Sequence, residues 1–480
     1  MEADHLSQSK GSFDVGLRAA LSIAPALAAG LALRLWMLRS FFQVEVDASI
    51  YGGLAKNLLL HGRYAFTGAG GQLNPTLIRL PGYPLFLVFC FRVFGMENYA
   101  SACWAQIALE LAGCLLLADF ARRVAPLPLK AGAAHCTLWL AALCPFTASY
   151  AAEPLTEALT LFVIALALWS ASRFCERSGW GSALWFTFAV TYAALLRPDG
   201  ALVAVALAPG LLLVPRRSAG AQIECRNVAR IVVVCLLLAI TPFAAWTWRN
   251  WRAFHVFQPL APRYATDPGE NPNLGWQRWV KTWSLDFVST AEIYWAMDGE
   301  ALDIAKLPSR AFDSPGQYAE TAKLAADYND NLALTPETDA RFERLAADRI
   351  AANPLRYYLW LPLGRVADMW LRPRVENLPI DLDWWVYAHH NVETRFSWAY
   401  ASLNALYLLL GVAGLCVRPR FWGWMLAYFV MRSAMLLTVE APEARYTIEC
   451  FPMLFALGGI GLHGGFRKTL TLLSRARNAA

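Results

Sequence analysis

A chain of 480 residues is long enough for about three soluble domains, but 57% of it is hydrophobic, 16% is charged and 20 residues are tryptophan, which excludes an ordinary soluble enzyme. The net charge of +6 is modest and falls mostly at the ends of apolar runs, so it gives no basis for a nucleic-acid partner. The 10 cysteines contain no CxxC and none lies between Cys235 and Cys416, which argues against a disulfide framework and a zinc site.

Crossing a bilayer takes about 20 consecutive apolar residues, and roughly ten runs approach that length, their ends rich in Trp, Tyr and Arg. The predicted class is an all-α polytopic membrane protein. Residues 1–17 are polar and lead into an apolar run with no small-residue cleavage signature, which predicts an uncleaved signal anchor. Span one covers roughly Val15 to Leu38, and residues 39–98 then emerge as a first outward loop. In that loop Asp47 opens a run in which Ile50, Tyr51, Leu54, Ala55 and Leu58 share helical spacing, as in a helix lying on the membrane. A turn at His61-Gly62-Arg63 leads to Arg79-Leu80-Pro81-Gly82-Tyr83-Pro84, and the apolar run 81–94 is too short to cross.

Spans two and three follow at 99–120 and 131–150, and span four returns to Arg173 after a short turn at Ala151 to Pro154. Spans five and six, at 180–196 and 201–214, flank Arg197-Pro198-Asp199-Gly200; span seven runs over 231–248. Residues 249–395 form the one candidate soluble domain, helical over 314–352, with an aromatic segment at 355–370 that is expected to lie against the membrane. Spans eight to ten occupy 396–417, 421–437 and 446–463. Arg122, Arg123, Lys130, Arg216, Arg217, Arg226, Arg230, Arg418, Arg420, Arg467 and Lys468 all collect on one side. By the positive-inside rule both termini are cytoplasmic, and the first loop, the long domain and the turn at 438–445 face outward. The chain thus reads as a transmembrane module (1–248), an outward-facing, periplasmic domain (249–395) and C-terminal helices with a basic tail (396–480).

An ionised group at the centre of a span costs about 2.5–3.5 kcal/mol, so the placement of charge is informative. Asp47, Arg79, Glu153, Glu157, Arg197, Asp199, Arg249, Glu443 and Arg445 all map to the outward surface although they are far apart in sequence. Arginines at headgroup level suit the phosphate of an anionic lipid carrier. Carboxylates beside them suit removal of a proton from an attacking hydroxyl. Each residue also has a structural alternative. Asp47 could cap its helix, Glu153 and Glu157 could complement a helix N-terminus, and Arg79 could snorkel to the interface. Arg249 could be an anchor, while Arg197 could pair with Asp199 and Arg445 with Glu443. Within spans, Glu110 is expected to pair with Arg432, and Asp119 to be paired near the cytoplasmic end. Trp246, Trp248, Trp251, Trp276, Trp279 and Trp283 are expected to be interfacial anchors rather than sugar platforms. His389-His390 is expected at the surface, and no histidine spacing points to a metal.

The order of short motifs resembles a known family. Asp47-Ala48-Ser49-Ile50-Tyr51 with Gly62-Arg63-Tyr64 looks like the first-loop motif of membrane glycosyltransferases of the C-type (GT-C) fold, in particular the lipid A aminoarabinose transferase and protein O-mannosyltransferase branch. Arg79 to Pro84 resembles its basic-Pro-Gly-Tyr-Pro element, Thr156-Glu157-Ala158-Leu159 its second-loop acidic motif, and Arg197-Pro198-Asp199-Gly200 its Arg-Pro turn. Thr241-Pro242-Phe243 with Arg249-Asn250, and Glu443-Ala444-Arg445-Tyr446, match its later elements. The outward section matches only at Asn353-Pro354 and Arg365.

The resemblance implies a GT-C-like bundle that transfers a sugar from a polyprenyl-phosphate donor to a lipid, glycan or protein acceptor. The site would face the extracytoplasmic side of the plasma (inner) membrane. It implies Asp47 as general base, and Glu157 of the acidic motif and the neighbouring Glu153 are the further catalytic or acceptor-binding candidates. Arg79, Arg249 and Arg445 would hold the donor phosphate, and Tyr51, Tyr83, Arg197 and Tyr446 would line the substrates. Ala48 stands where the family often has a second acid, and Phe243 where it commonly has Trp; no cofactor or metal is predicted. Other readings are a transporter or flippase of lipid-linked sugars, a lipid-linked glycan ligase or polymerase, and a non-catalytic envelope-assembly role. Transporters place site charges at the midplane between related halves, whereas the halves here look unequal and most charges are peripheral.

Overall fold

The computed structural model describes residues 23–213, 225–382 and 391–479. The polar segment 1–17, Arg216 and Arg217, and His389-His390 lie outside the described residues, and the predicted signal anchor is described only from Ile23 onward. The chain divides into two compact units, 1–261 with 406–428 and 449–480, and 262–405 with 429–448.

The first unit begins with α1 (Ile23–Phe41) and α2 (Val46–His61), the helix anticipated from the stripe at Ile50, Tyr51 and Leu54. Gly62 ends α2 in the left-handed region, φ 63°, where a residue without Cβ is unstrained, and its N–H caps the carbonyls of Asn57 and Leu58. A two-stranded antiparallel hairpin follows, β1 (Ala65–Thr67) and β2 (Leu73–Pro75), in register Phe66↔Asn74. The buried Asn57 donates to the carbonyl of Ala65 (2.8 Å), which fastens the hairpin to α2. Then come α3 (Gly82–Phe94), α4 (Tyr99–Val124), α5 (Lys130–Ala142), α6 (Pro145–Ala151), α7 (Glu157–Glu176), α8 (Trp180–Leu196), α9 (Ala201–Leu213) and α10 (Cys225–Phe254).

Burial separates their roles. The apolar window of α7 is 83% buried and that of α10 is 6% buried, so α7 is the central strut and α10 presents its apolar surface outward. Span three is broken: α5 and α6 meet at a 53° bend where Pro145 cannot continue the hydrogen-bond ladder. The buried Arg34 of α1 caps that break, donating to the carbonyls of Ala142 (2.6 Å) and Gly30 (2.9 Å) while pairing bidentately with buried Glu110 of α4. The expected Glu110–Arg432 pair is therefore replaced by Glu110–Arg34; the Nε–H of Arg432 donates instead to the carbonyl of Tyr446 (2.9 Å). Asp119 is paired as expected, with Arg122, Arg123 and the indole N–H of Trp169.

The second unit contains α11 (Leu274–Lys281), α12 (Pro315–Asn329), α13 (Pro336–Ala352) and α14 (Leu361–Leu371). Beyond it in sequence lie α15 (Asn391–Cys416), α16 (Trp422–Leu436), α17 (Arg445–Ile448) and α18 (Phe451–Ala479). Trp276, Trp279 and Trp283 are core residues rather than membrane anchors: α11 turns Trp276 and Trp279 onto Phe342 of α13, at 5.0 and 5.1 Å between ring centroids, and Trp283 packs on Trp279 at 5.4 Å. Trp248 and Trp251 are exposed on α10, while Trp246 packs beside Tyr64. Leu355, Tyr358, Leu359, Trp360 and Leu363 leave a run of large apolar side chains exposed just ahead of and along α14.

Among the described residues five helices are long and apolar enough to span: α1, α4, α7, α10 and α15, with a sixth if the bent pair α5–α6 is one span. The sequence leads one to expect roughly ten. Helices α8, α9 and α16 have 17, 13 and 15 residues. At about 1.5 Å per residue even the longest reaches only ~26 Å, short of the ~30 Å hydrocarbon core.

Asp368 of α14 gives a testable pH dependence. Burial pushes its carboxyl up to about 6, against the opposing pull of Arg372. The folded state holds that proton more tightly than the unfolded chain, so this contribution to stability is full below about pH 4 and is lost as pH rises through 6. Asp368→Asn is expected to remove that pH dependence, read from unfolding midpoints between pH 4 and 7. A slope unchanged by the substitution would refute the assignment.

Candidate active site

The chemistry-bearing residues of the first unit gather around α2. Asp47 lies in its first turn, and Glu45 occupies the N-cap position without a side-chain cap bond, so Asp47 is not the helix cap. The Asp47 carboxylate instead accepts from Arg79 at 2.8 Å, with about a quarter of each side chain exposed (26% and 25%). Arg79 is held from behind: the hydroxyl of Tyr64 donates to its carbonyl (3.0 Å) and to that of Leu80 (3.2 Å). Its guanidinium stands 5.9 Å from the ring of Tyr51. The Nε–H of Arg79 is buried and makes no hydrogen bond among the described residues.

Tyr51 joins this pair to the next. Its ring packs edge-on against Tyr83, centroids 5.1 Å apart. Tyr83 is fully buried, with its hydroxyl on Gln106 (2.6 Å), and Gln106 in turn donates to the carbonyl of Glu153 (2.7 Å). Burial pushes the Tyr51 hydroxyl above its usual range; Arg79 pulls it down, Asp47 and Glu157 push it up, and Arg197 pulls it down. Charges from both the Asp47–Arg79 pair and the Glu157–Arg197 pair therefore act on Tyr51. Gly82 makes the approach possible, since a Cβ there would meet the carbonyl oxygen of Leu195 at 2.5 Å.

Glu157 opens α7, 1% exposed, and accepts from Arg197 at 2.9 Å. Arg197 is extended between α8 and the turn at Pro198–Gly200 and also meets Asp199 (3.4 Å) and Glu449 (2.9 Å), the last 0% exposed. Glu449 also accepts from the hydroxyl of Tyr428 (3.4 Å). One guanidinium thus sits among three carboxylates, in a place where an unpaired charge would be costly. Glu449 is not among the residues the sequence motifs pick out, although a carboxylate inside the apolar stretch after Tyr446 carries the same signal as any charge within a span.

Arg249 is committed to structure. Its guanidinium donates to the carbonyls of Thr76 (2.6 Å) and Tyr64, and it stacks on Tyr64, Trp246 and Phe254 at 5.2–5.7 Å, tying α10 to the first loop. Glu153 is buried in the turn before α7. Arg445 and Tyr446 belong to the second unit, where Glu443 pairs with Arg445 and accepts from the hydroxyl of Tyr446. Among the described residues no group of three or more His, Cys, Asp or Glu side chains is arranged to hold a metal.

No protein-family model matches the sequence, and no curated protein matches it. Among solved structures the chain is similar to ArnT from Cupriavidus metallidurans bound to undecaprenyl phosphate, at 15% identity over 93% of this chain and 78% of that one, TM-score 0.39. It is similar also to the same protein in the apo state, at 16% identity over 94% and 78%, TM-score 0.39.

Proposed function

We propose that the first unit is a membrane glycosyltransferase that moves a sugar from a polyprenyl-phosphate donor to an acceptor hydroxyl or phosphate on the extracytoplasmic side. The observation that supports this most is the Asp47–Arg79 pair, partly open to solvent and held over Tyr51. Asp47 takes the proton of the attacking acceptor, so that its oxygen becomes a competent nucleophile at the anomeric carbon. Arg79 receives the phosphate that departs. It carries five N–H donors, one already on Asp47 and another, Nε–H, without a partner among the described residues, so it stabilises the negative charge that grows on the leaving group.

The other residues support this pair. Tyr83 is enclosed and its hydroxyl is spent on Gln106, so its part is to set the ring of Tyr51. Glu157, Asp199 and Glu449 hold Arg197 beside the same ring. Arg249 fixes the loop that presents Arg79 rather than offering a free fork to phosphate. The motif order from Asp47 to Tyr446 resembles that of GT-C transferases, which is what narrows the donor to a polyprenyl phosphate.

Arg79→Ala is expected to weaken binding of a short-chain polyprenyl phosphate by about tenfold or more, in keeping with ~1.5–3 kcal/mol for a hydrogen bond to a charged group. Titration followed by intrinsic fluorescence checks it. An affinity equal to that of the unaltered protein would remove the phosphate role from Arg79.

A further inference from the structure

The second unit holds a cavity of about 500 Å³ between α11 and α13, well within the range of small-molecule sites. Gly275 allows the two helices to meet there: a Cβ at that position would stand 1.9 Å from the carbonyl oxygen of Asp339. The carboxylate of Asp339 is spent on the first backbone N–H groups of α11, those of Gly275 (3.1 Å) and Trp276 (2.8 Å). Arg278 pairs with Glu343 across the wall. Arg263 and Lys281 both reach Glu440 at 3.1 Å, and Lys281 also donates to the carbonyl of Thr438 (2.7 Å).

Three cations and three carboxylates therefore line the cavity, each engaged with a neighbour, and the lining carries no formal net charge. A free anion or cation entering it would meet no unspent counter-charge and would lose its hydration without return. Hydroxyl groups face no such cost. An engaged guanidinium or ammonium still has N–H donors to give, an engaged carboxylate still has lone pairs, and charge-assisted hydrogen bonds of this kind are strong. Tyr264, its ring under the Arg263 guanidinium at 5.1 Å, and Tyr357 also line the cavity, and Leu274, Pro336 and Ala340 add apolar surface suited to the C–H faces of a ring whose edges are polar.

We propose that this cavity binds a neutral, polyhydroxylated ligand, a carbohydrate of one or two rings. The assignment stands on the cavity alone and does not depend on the transfer reaction proposed for the first unit.

The test uses the full-length protein in lipid nanodiscs, which avoids the sugar headgroups of glycosidic detergents. Saturation-transfer NMR is measured with maltose, lactose and chitobiose, and with glucose 6-phosphate and glucosamine as charged probes. At least one neutral disaccharide is expected to receive saturation, and to bind tenfold or more weakly in Tyr357→Ala. Glu343→Ala, which frees Arg278, is expected to shift preference toward glucose 6-phosphate. The proposal is overturned if no neutral disaccharide receives saturation, if the charged probes bind equally well, or if both cavity variants behave as the unaltered protein.

Discussion

Asp47→Asn is expected to fold and to bind donor as the unaltered protein does, yet to transfer roughly 10²- to 10⁴-fold more slowly, the usual worth of a positioned general base. The amide occupies the same volume and its oxygen can still accept from Arg79, so the 2.8 Å contact that orders the pair survives. What is lost is the basicity of the carboxylate: the amide oxygen keeps its lone pairs but cannot hold the acceptor's proton. The effect should therefore fall on kcat rather than on KM, as for an interaction made only in the transition state. Single-turnover transfer from a radiolabelled polyprenyl-phosphate sugar measures it. A variant within a few-fold of full activity would show that Asp47 serves only to hold Arg79.

The second large effect concerns stability. Arg34→Leu leaves Glu110 buried in the bundle without its bidentate partner and uncaps the α5–α6 break, so a loss of about 3–5 kcal/mol is expected. The double substitution Arg34→Leu with Glu110→Leu should recover much of that loss, because it removes both charges and leaves apolar side chains in an apolar place. Thermal unfolding of the two variants in the same lipid separates the outcomes. If single and double variants melted together, the pair would not be the source of the loss.

What the sequence makes legible follows the range of the interactions. The α2 helix, its end at Gly62 and the short α3 are set by spacing and turn chemistry within a dozen residues, and they appear where the pattern puts them. The Arg197–Asp199 contact lies within one turn and is among the alternatives that the spacing itself suggests. The distant partners of Arg34, Arg197 and Arg249 lie 40 to 252 residues away, and no periodicity carries that information. Arg34 and Glu449 nevertheless announce themselves as charges within apolar runs, the same sign that picks out Glu110 and Arg432. The tryptophans at 276, 279 and 283 repeat at helical spacing, which fits an interfacial stripe and a packed core equally; only the presence of Phe342 opposite decides. Counting apolar runs measures composition and does not see where a proline breaks a helix, as at Pro145 between α5 and α6.

The measurement that tests the central claim most directly is mass spectrometry of the lipids that copurify with the protein, compared between the unaltered chain and Asp47→Asn. A transferase that has lost its base should still hold its donor, so a polyprenyl-phosphate sugar is expected to accumulate on the variant. If neither protein carried such a lipid and both carried a diphosphate-linked glycan, the chain would be handling a different class of carrier, and the assignment of Asp47 and Arg79 to sugar transfer from a polyprenyl monophosphate would be wrong.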